Sequence, residues 1–332
     1  LTVPTGAAPA GAAPRHRAWA PLYGALTAAV RALLLLVAVS AVVFAATALL
    51  PGDAAEIRAS PGATTEEVRA LRAELGQEAG PLRLYADWAG GVLRGDPGVS
   101  LVNGRPVLDA VAQRLPATAT LVGAALALAA PAMLLLGWWA GTARRGRGAA
   151  TALLTGAAAV PTAVTAAGLA ALLSGVLGLV PAVSLLPPGQ APVHSPELLV
   201  LPVLSMALPT ALFGGGLLAG AVADTASRPH VADARRRGRS PWAVAAVDVL
   251  PFLLAPFLRV LAVSAGGLIA AATVVETLFG YPGLGSLLVS SIASRDTPVI
   301  QAVAVSAAAV VLAGTALADA VAGGTDPRGR AW

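Results

Sequence analysis

Two places in this chain carry residue types that suit chemistry or recognition beyond packing. Arg235, Arg236, Arg237 and Arg239 bracket Gly238 in a polar gap between two long apolar segments, and Glu276 stands where the second segment ends. Guanidinium groups make strong, planar hydrogen bonds to carboxylates, so the stretch from Ala232 to Gly238 suits contact with acidic groups of another protein. Val231, Ala234 and Trp242 supply an apolar docking face beside them. Gly238 lets the chain turn sharply after a short helix, and Pro251 follows downstream. A short helix held between two membrane segments suits the reception of a push from a soluble partner. The same arginines also satisfy a simpler requirement, the basic side of a membrane topology. Glu276 reads as a gate, as a structural anchor, or as a solvated residue at the interface, because an ionisable group at membrane depth is costly and needs a partner.

Other chemistries are excluded by what is missing. The chain has no cysteine, and its 22 basic residues are all arginine. Thiolate chemistry and cysteine metal sites are out, as are a Schiff-base lysine and the phosphate-binding lysine of a nucleotide loop. His16, His194 and His230 are scattered along the sequence and assemble no metal site. No Gly-x-Ser-x-Gly, no His-Glu-x-x-His and no pair of acids in facing apolar segments is present, which argues against an intramembrane hydrolase. A secondary transporter would show midplane acids for ion coupling and internal repeats, and neither is visible.

These residues must be positioned by membrane helices. The chain is 57% hydrophobic and 12% charged, against about 25% charged for soluble domains. Six apolar stretches reach the roughly 20 residues needed to span a bilayer: 26–50, 117–141, 149–173, 199–223, 250–275 and 299–323. Pro161 and Pro209 fall inside the third and fourth and predict kinks. Arginines concentrate in alternate gaps: Arg15 and Arg17; Arg144, Arg145 and Arg147; Arg228, Arg235, Arg236, Arg237 and Arg239; Arg328 and Arg330. By the positive-inside rule that side is cytoplasmic and both termini lie on it. The net charge of +5 therefore reflects topology and implies no nucleic acid. Residues 1–25 form a cytoplasmic, largely disordered N-terminus. The first apolar stretch is too long for a signal-peptide core.

The long segment 51–116 has seven arginines against nine acids, a net of −2, and forms a small helical extracytoplasmic insertion between the first two spans. Thr64-x-x-Glu67 predicts a capping box opening a helix with Val68, Leu71 and Leu75 on one face and Gly76 as its stop. A second amphipathic stretch carries Leu84, Tyr85, Trp88 and Val92. Gly95-Asp96-Pro97-Gly98 makes a turn, and Val107, Val111 and Leu115 lie in helical register. The remainder, 117–332, is a transmembrane core with a cytoplasmic loop at 224–249.

Several short motifs in order resemble the membrane (permease) subunit of binding-protein-dependent ABC importers, in the dipeptide, oligopeptide and nickel class. They are Pro51-Gly52-Asp53; Gly95 to Ser100; Arg114 to Thr118; Ala234 to Gly238 with Pro251; Val275-Glu276-Thr277-Leu278-Phe279 with Pro282-Gly283-Leu284-Gly285; Arg295 to Gln301; and Asp326-Pro327-Arg328. Ala232, Asp233, Asp248 and Phe252 depart from the pattern. The resemblance implies an all-α integral membrane protein of six transmembrane helices with the ABC type I importer permease fold, in a bacterial cell membrane. It implies a transport subunit rather than an enzyme, with no cofactor of its own, ATP being bound by partner subunits. The partners implied are a second homologous permease subunit, two ABC ATPase subunits and an extracytoplasmic substrate-binding protein. The 231–242 loop, with Pro251, falls on the ATPase-coupling motif. Glu276 and Arg259 become gate or pathway candidates, and Pro282, Gly283 and Gly285 a structural loop. Arg259, about two turns into the fifth span, either snorkels to the interface, lines the pathway, or pairs with an acid on the partner subunit or with Asp319. A secondary transporter or an orphan membrane subunit is the alternative reading.

Overall fold

Apolar runs of this length can cross a bilayer only as helices that satisfy their own backbone, and helices are what form. The computed structural model describes residues 20–49, 54–59, 62–76, 79–143, 146–185 and 194–325; at 20–25, 28 and 317–325 only the backbone course is described. The expectations placed on residues 1–19, Pro51-Gly52-Asp53, Arg144, Arg145, the Asp319 side chain and Asp326-Pro327-Arg328 lie outside the described residues. Among the described residues the sole β feature is one bridge between Val99 and Pro106.

Helix α1 (Ala20–Leu49) is followed by three short helices, α2 (Ala54–Arg58), α3 (Thr65–Glu74) and α4 (Pro81–Leu93). The capping box at Thr64 and Glu67 forms in both directions, and Gly76 follows the helix end with φ +66°. Val68, Leu71 and Leu75 are half-buried together, as are Leu84, Tyr85, Trp88 and Val92. Tyr85 joins α4 to α1 through Ser40 (2.7 Å) and stacks obliquely on Phe44 (5.2 Å between ring centroids). Ser40 is the only buried side chain among those described on α1, which has a half-buried face at Leu36, Val39, Val43, Phe44 and Thr47 and an exposed apolar face opposite.

The second span is longer than the apolar run suggests. Helix α5 (Val107–Thr142) is continuous for 36 residues, about 54 Å at 1.5 Å per residue, and no helix boundary falls between 116 and 117. Val107 and Val111 pack inward, whereas Leu115 turns out at 41% exposure. The third span is a correction of a different kind. Pro161 does not kink a helix but starts a new one: α6 (Arg147–Ala158) and α7 (Thr162–Leu169, continued as a π-helical turn to Val176) meet at 83°. Proline lacks the N–H that would continue α6.

Helix α8 (Pro196–Ala226) is continuous through Pro202 and Pro209. After α9 (Pro229–Arg236), a short α10 (Pro241–Ala243) and a π-helical turn (Val244–Val249) lead without interruption into α11 (Leu250–Phe279). The fifth apolar helix thus spans Pro241–Phe279, and Pro251 directly follows the π-helical turn, as the second residue of α11. Helices α12 (Leu284–Ala293) and α13 (Thr297–Thr325) complete the chain.

The core lies where α5, α8 and α11 meet, around Leu121, Met133, Met206, Leu218, Leu268 and Phe279. The α5–α8 seam is closed by glycines facing each other's side chains. A Cβ on Gly214 would stand 2.5 Å from Met133 Sδ, one on Gly215 2.7 Å from Leu136 Cβ, and one on Gly137 2.8 Å from Leu218 Cβ. Small residues let membrane helices approach this closely. Gly216 faces Thr155 of α6, while Gly220 faces open space.

The bundle has two distinct ends. At one, Thr118 lies near Leu284, and Val107 packs with Val299. At the other, the end of α5, the start of α6, the end of α8 and α9 come together around Trp138, Arg147, Ser227 and Arg235. The broken pair α6–α7 connects them: Arg147 is at the α9 end, whereas the Ser184 N–H donates to the Phe279 carbonyl (2.7 Å) at the other. The pair therefore serves as one crossing, and with the five long helices makes six among the described residues.

Candidate functional site

Helix α9 is amphipathic, and its apolar side turns inward. Val231 and Ala234, one turn apart, are fully buried against Val222 of α8 and Val244, Val249 and Leu253 of the α11 lead-in. This corrects the expectation that they form an external docking face. The ends of the spans present an apolar slot, and burying both side chains there removes them from water. They fix α9 to the bundle instead. Trp242 remains outside at 86% exposure, and Arg235, Arg236 and Arg237 are all exposed.

The helix stops at a Schellman motif. The Gly238 N–H donates to Arg235 O (3.0 Å) and the Arg239 N–H to Ala234 O (3.2 Å), the paired bonds that close this cap. Gly238 adopts φ +75°, a conformation that costs an L-residue. Ser240 then caps the next turn by accepting from Ala243 N (3.2 Å).

The residues that depart from the family pattern complement one another here. Arg239 Nη1 lies 3.0 Å from both carboxylate oxygens of Asp248. His230 Nε2 is 3.0 Å from the Asp248 carbonyl oxygen. Phe252 packs obliquely against His230 (5.0 Å between centroids) and has the Arg228 guanidinium over its ring (5.4 Å), within cation–π range. Asp233 pairs with Arg236 at 3.5 Å, an exposed contact of little energetic weight.

At the opposite end Glu276 is fully buried. Its carboxyl accepts from Thr118 Oγ1 (2.6 Å), Gly285 N (2.7 Å) and Ser286 N (3.1 Å). The two backbone donors belong to the first turn of α12, whose N–H groups have no partners within their own helix. Thr118 in turn accepts from Leu284 N (2.8 Å). The solvated reading of Glu276 is therefore excluded; every contact it makes ties α5, α11 and α12 together. Gly283 is required by close approach, since a Cβ there would collide with the Glu276 carboxyl, and a Cβ on Gly285 would collide with Thr273. Pro282, just before them, is half-buried. Tyr281 is also fully buried and donates to Ala117 O (3.0 Å). Burial first, and the Glu276 charge second, hold its phenol above the usual value near 10. Arg259 is exposed on α11 and belongs to neither cluster.

Some contacts were not legible in the sequence, although Ser100 and Asp296 stand inside motifs named above. Gly137 and Gly141 form a Gly-x-x-x-Gly pair on α5, a spacing that signals close helix packing. Asp296, 4% exposed, accepts from the Ser100 hydroxyl and from Leu101 N (3.0 Å), while Arg58 Nη1 donates to Leu101 O (2.7 Å). The 95–105 turn is thereby joined to the start of α13. Nothing local in the sequence pairs Ser100 with Asp296.

A fixed amphipathic helix at one end of a six-crossing bundle, with a buried carboxyl knot at the other, can be compared with known proteins. Residues 116–331 match the family profile of the binding-protein-dependent transport system inner membrane component. A putative peptide transport system permease protein of Brucella abortus is 30% identical over 285 residues, covering 85% of this chain and 90% of the relative. A probable peptide ABC transporter permease protein of Sinorhizobium fredii is 30% identical over 295 residues, covering 86% and 92%. The glutathione transport system permease protein GsiC of Shigella flexneri is 29% identical over 267 residues, covering 80% and 84%. The chain belongs to the binding-protein-dependent transport system inner membrane components, the multi-pass permease subunits of ABC importers.

Proposed function

We propose that this chain is the translocation subunit of an ATP-driven importer for peptides or a related small polar solute. It forms the pathway with a second homologous permease subunit and receives motion from two separate ABC ATPases through the 231–242 loop. The observation that carries the reading is the mounting of α9. Val231 and Ala234 are locked into the span ends, Gly238 closes the helix in a Schellman cap, and Arg236, Arg237 and Trp242 are left facing out. A lever needs this combination of rigid attachment and accessible surface. Because the π-helical turn runs directly into α11, a displacement of α9 is transmitted to a span whose far end holds Glu276.

The solute class follows the relatives named for peptide and glutathione transport. The end bearing α9 is cytoplasmic by its arginines, which puts both termini inside and the 51–116 segment outside, facing a substrate-binding protein. ATP is bound and hydrolysed by the ATPases, and this subunit carries no cofactor. Glu276 and the Pro282–Gly285 loop serve as the brace of the outer end, and Arg259 is left as a pathway or partner-subunit contact.

The test is affinity purification of the tagged chain in mild detergent, with co-purifying proteins identified and ATPase activity assayed. A second six-span subunit and an ATPase should be recovered and should be lost on charge reversal of Arg236 and Arg237 or on Gly238→Pro. A chain that purifies with no ATPase under any of these conditions would overturn the coupling role.

A further inference from the structure

Beside α9 the span ends enclose a cavity of about 420 Å³, lined among others by Trp138 and Thr142 of α5, Ser227 after α8, Arg147 of α6, and Arg235 and Arg239. Its position is set by chain geometry. The last turns of two spans and the first turn of a third meet there, so it lies where hydrocarbon gives way to water. Trp138 is at the level that indole rings favour.

The charges around it are not balanced. Arg239 is held by Asp248. Arg147 and Arg235 make no ion pair among the described residues, although both line the same space. Two unpaired guanidiniums around one concavity form a fork for a phosphate or carboxylate oxygen set. The flank of the cavity then decides between soluble and lipid anions. Leu135 and Trp139 on α5, one turn apart, and Leu153 on α6 are 71%, 51% and 64% exposed, and these are the two helices that supply Trp138 and Arg147 to the cavity. A soluble anion has no use for such apolar neighbours, whereas acyl chains do.

We propose that this cavity binds the phosphate diester of an anionic phospholipid from the adjacent leaflet, with Arg147 and Arg235 on the phosphate and the acyl chains along Leu135, Trp139 and Leu153. Basic pockets between span ends are suited to anionic headgroups. Since Arg235 belongs to α9, the lipid joins the spans to that helix. The site does not depend on whether α9 couples to an ATPase, because lipid occupancy is read without transport.

The full-length chain, with the subunits that co-purify, is placed in nanodiscs of phosphatidylcholine containing a minor fraction of phosphatidylglycerol. Retained lipid is then measured by native mass spectrometry. Phosphatidylglycerol should be retained over phosphatidylcholine. Arg147→Gln should lower that retention about fivefold, which is about 1 kcal/mol per basic residue at 1.4 kcal/mol per tenfold, while Arg147→Lys restores most of it. Soluble glycerophosphate should fail to compete. Equal retention of the two lipids overturns the proposal, as does phosphatidylglycerol retention unchanged in both Arg147→Gln and Arg235→Gln. Displacement by glycerophosphate would make the site one for soluble phosphate esters. The chain has no cysteine of its own, so Thr142→Cys gives a unique probe. It should be quenched by a lipid-borne quencher; crosslinking to the ATPase with no quenching would assign the cavity to an acidic segment of that partner and overturn the lipid.

Discussion

Thr118 on α5 donates its hydroxyl to Glu276 on α11 at 2.6 Å while accepting the Leu284 N–H of α12 at 2.8 Å. One threonine thus links three helices, and the carboxyl it meets takes two further N–H donors from the α12 first turn. The buried Gly285 N–H would be an orphan without Glu276.

Replacing Glu276 should therefore be felt as lost stability. Glu276→Leu leaves the Gly285 and Ser286 N–H groups without acceptors, and a buried donor left unmade costs about 1–3 kcal/mol. Glu276→Gln keeps the shape and one acceptor oxygen and should cost less. Thermal unfolding in detergent, followed by tryptophan fluorescence, should rank wild type above Gln above Leu; equal midpoints would mean the knot does not hold the outer end.

Gly283→Ala drives a methyl group into the same carboxyl, and overpacking of this kind costs about 1–3 kcal/mol. The effect should shrink in a Glu276→Asp background, because the shorter side chain withdraws from the added methyl. A double-mutant cycle on unfolding midpoints checks this, and strict additivity would refute the contact.

The α5–α8 seam gives an internal contrast. Gly214→Ala places a Cβ against Met133 and should destabilise, with Met133→Ala partly relieving it. Gly220→Ala, facing open space, should change stability by no more than about 0.5 kcal/mol. Expression level and unfolding midpoint of the four variants separate these outcomes.

Gly238→Ala forces an alanine to φ +75° and should cost about 1–2 kcal/mol locally, while Gly238→Asn should be milder, since asparagine tolerates this region. Both leave the bundle intact and loosen α9. ATPase recovery on co-purification should fall in the order glycine, asparagine, alanine.

Tyr281 makes stability depend on high pH. Its folded phenol titrates above its unfolded value near 10, so the unfolded chain loses the proton first. The stabilisation is full below pH 10 and declines as the pH rises above it. Tyr281→Phe should flatten the alkaline limb of the unfolding curve and remove the bond to Ala117 O, at a cost of about 1 kcal/mol at neutral pH.

Much of this architecture was readable in one dimension. Long apolar runs must become helices, because hydrocarbon offers the backbone no partner; the runs near 199–223 and 299–323 lie within α8 and α13, and the described part of the first, 26–49, lies within α1. The Thr64–Glu67 cap and the Gly76 stop were legible because their bonds are local. The glycine after Arg237 announced its turn for the same reason.

Direction and partnership were not local. The i, i+3 spacing of Val231 and Ala234 marks a face, yet an external groove and the ends of the protein's own spans are equally apolar receivers; only the packing of α8 and α11 turned that face inward. Pro161 broke its helix by 83° while Pro116, Pro131, Pro202, Pro209 and Pro256 sit inside unbroken ones, because neighbouring helices decide whether a lost hydrogen bond is absorbed or opens a new direction. Glu276 was ambiguous in sequence for the same physical reason. The cost of a buried carboxyl depends on the donors around it, and those came from Thr118, 158 residues away, and from a helix that begins only after the chain has turned back.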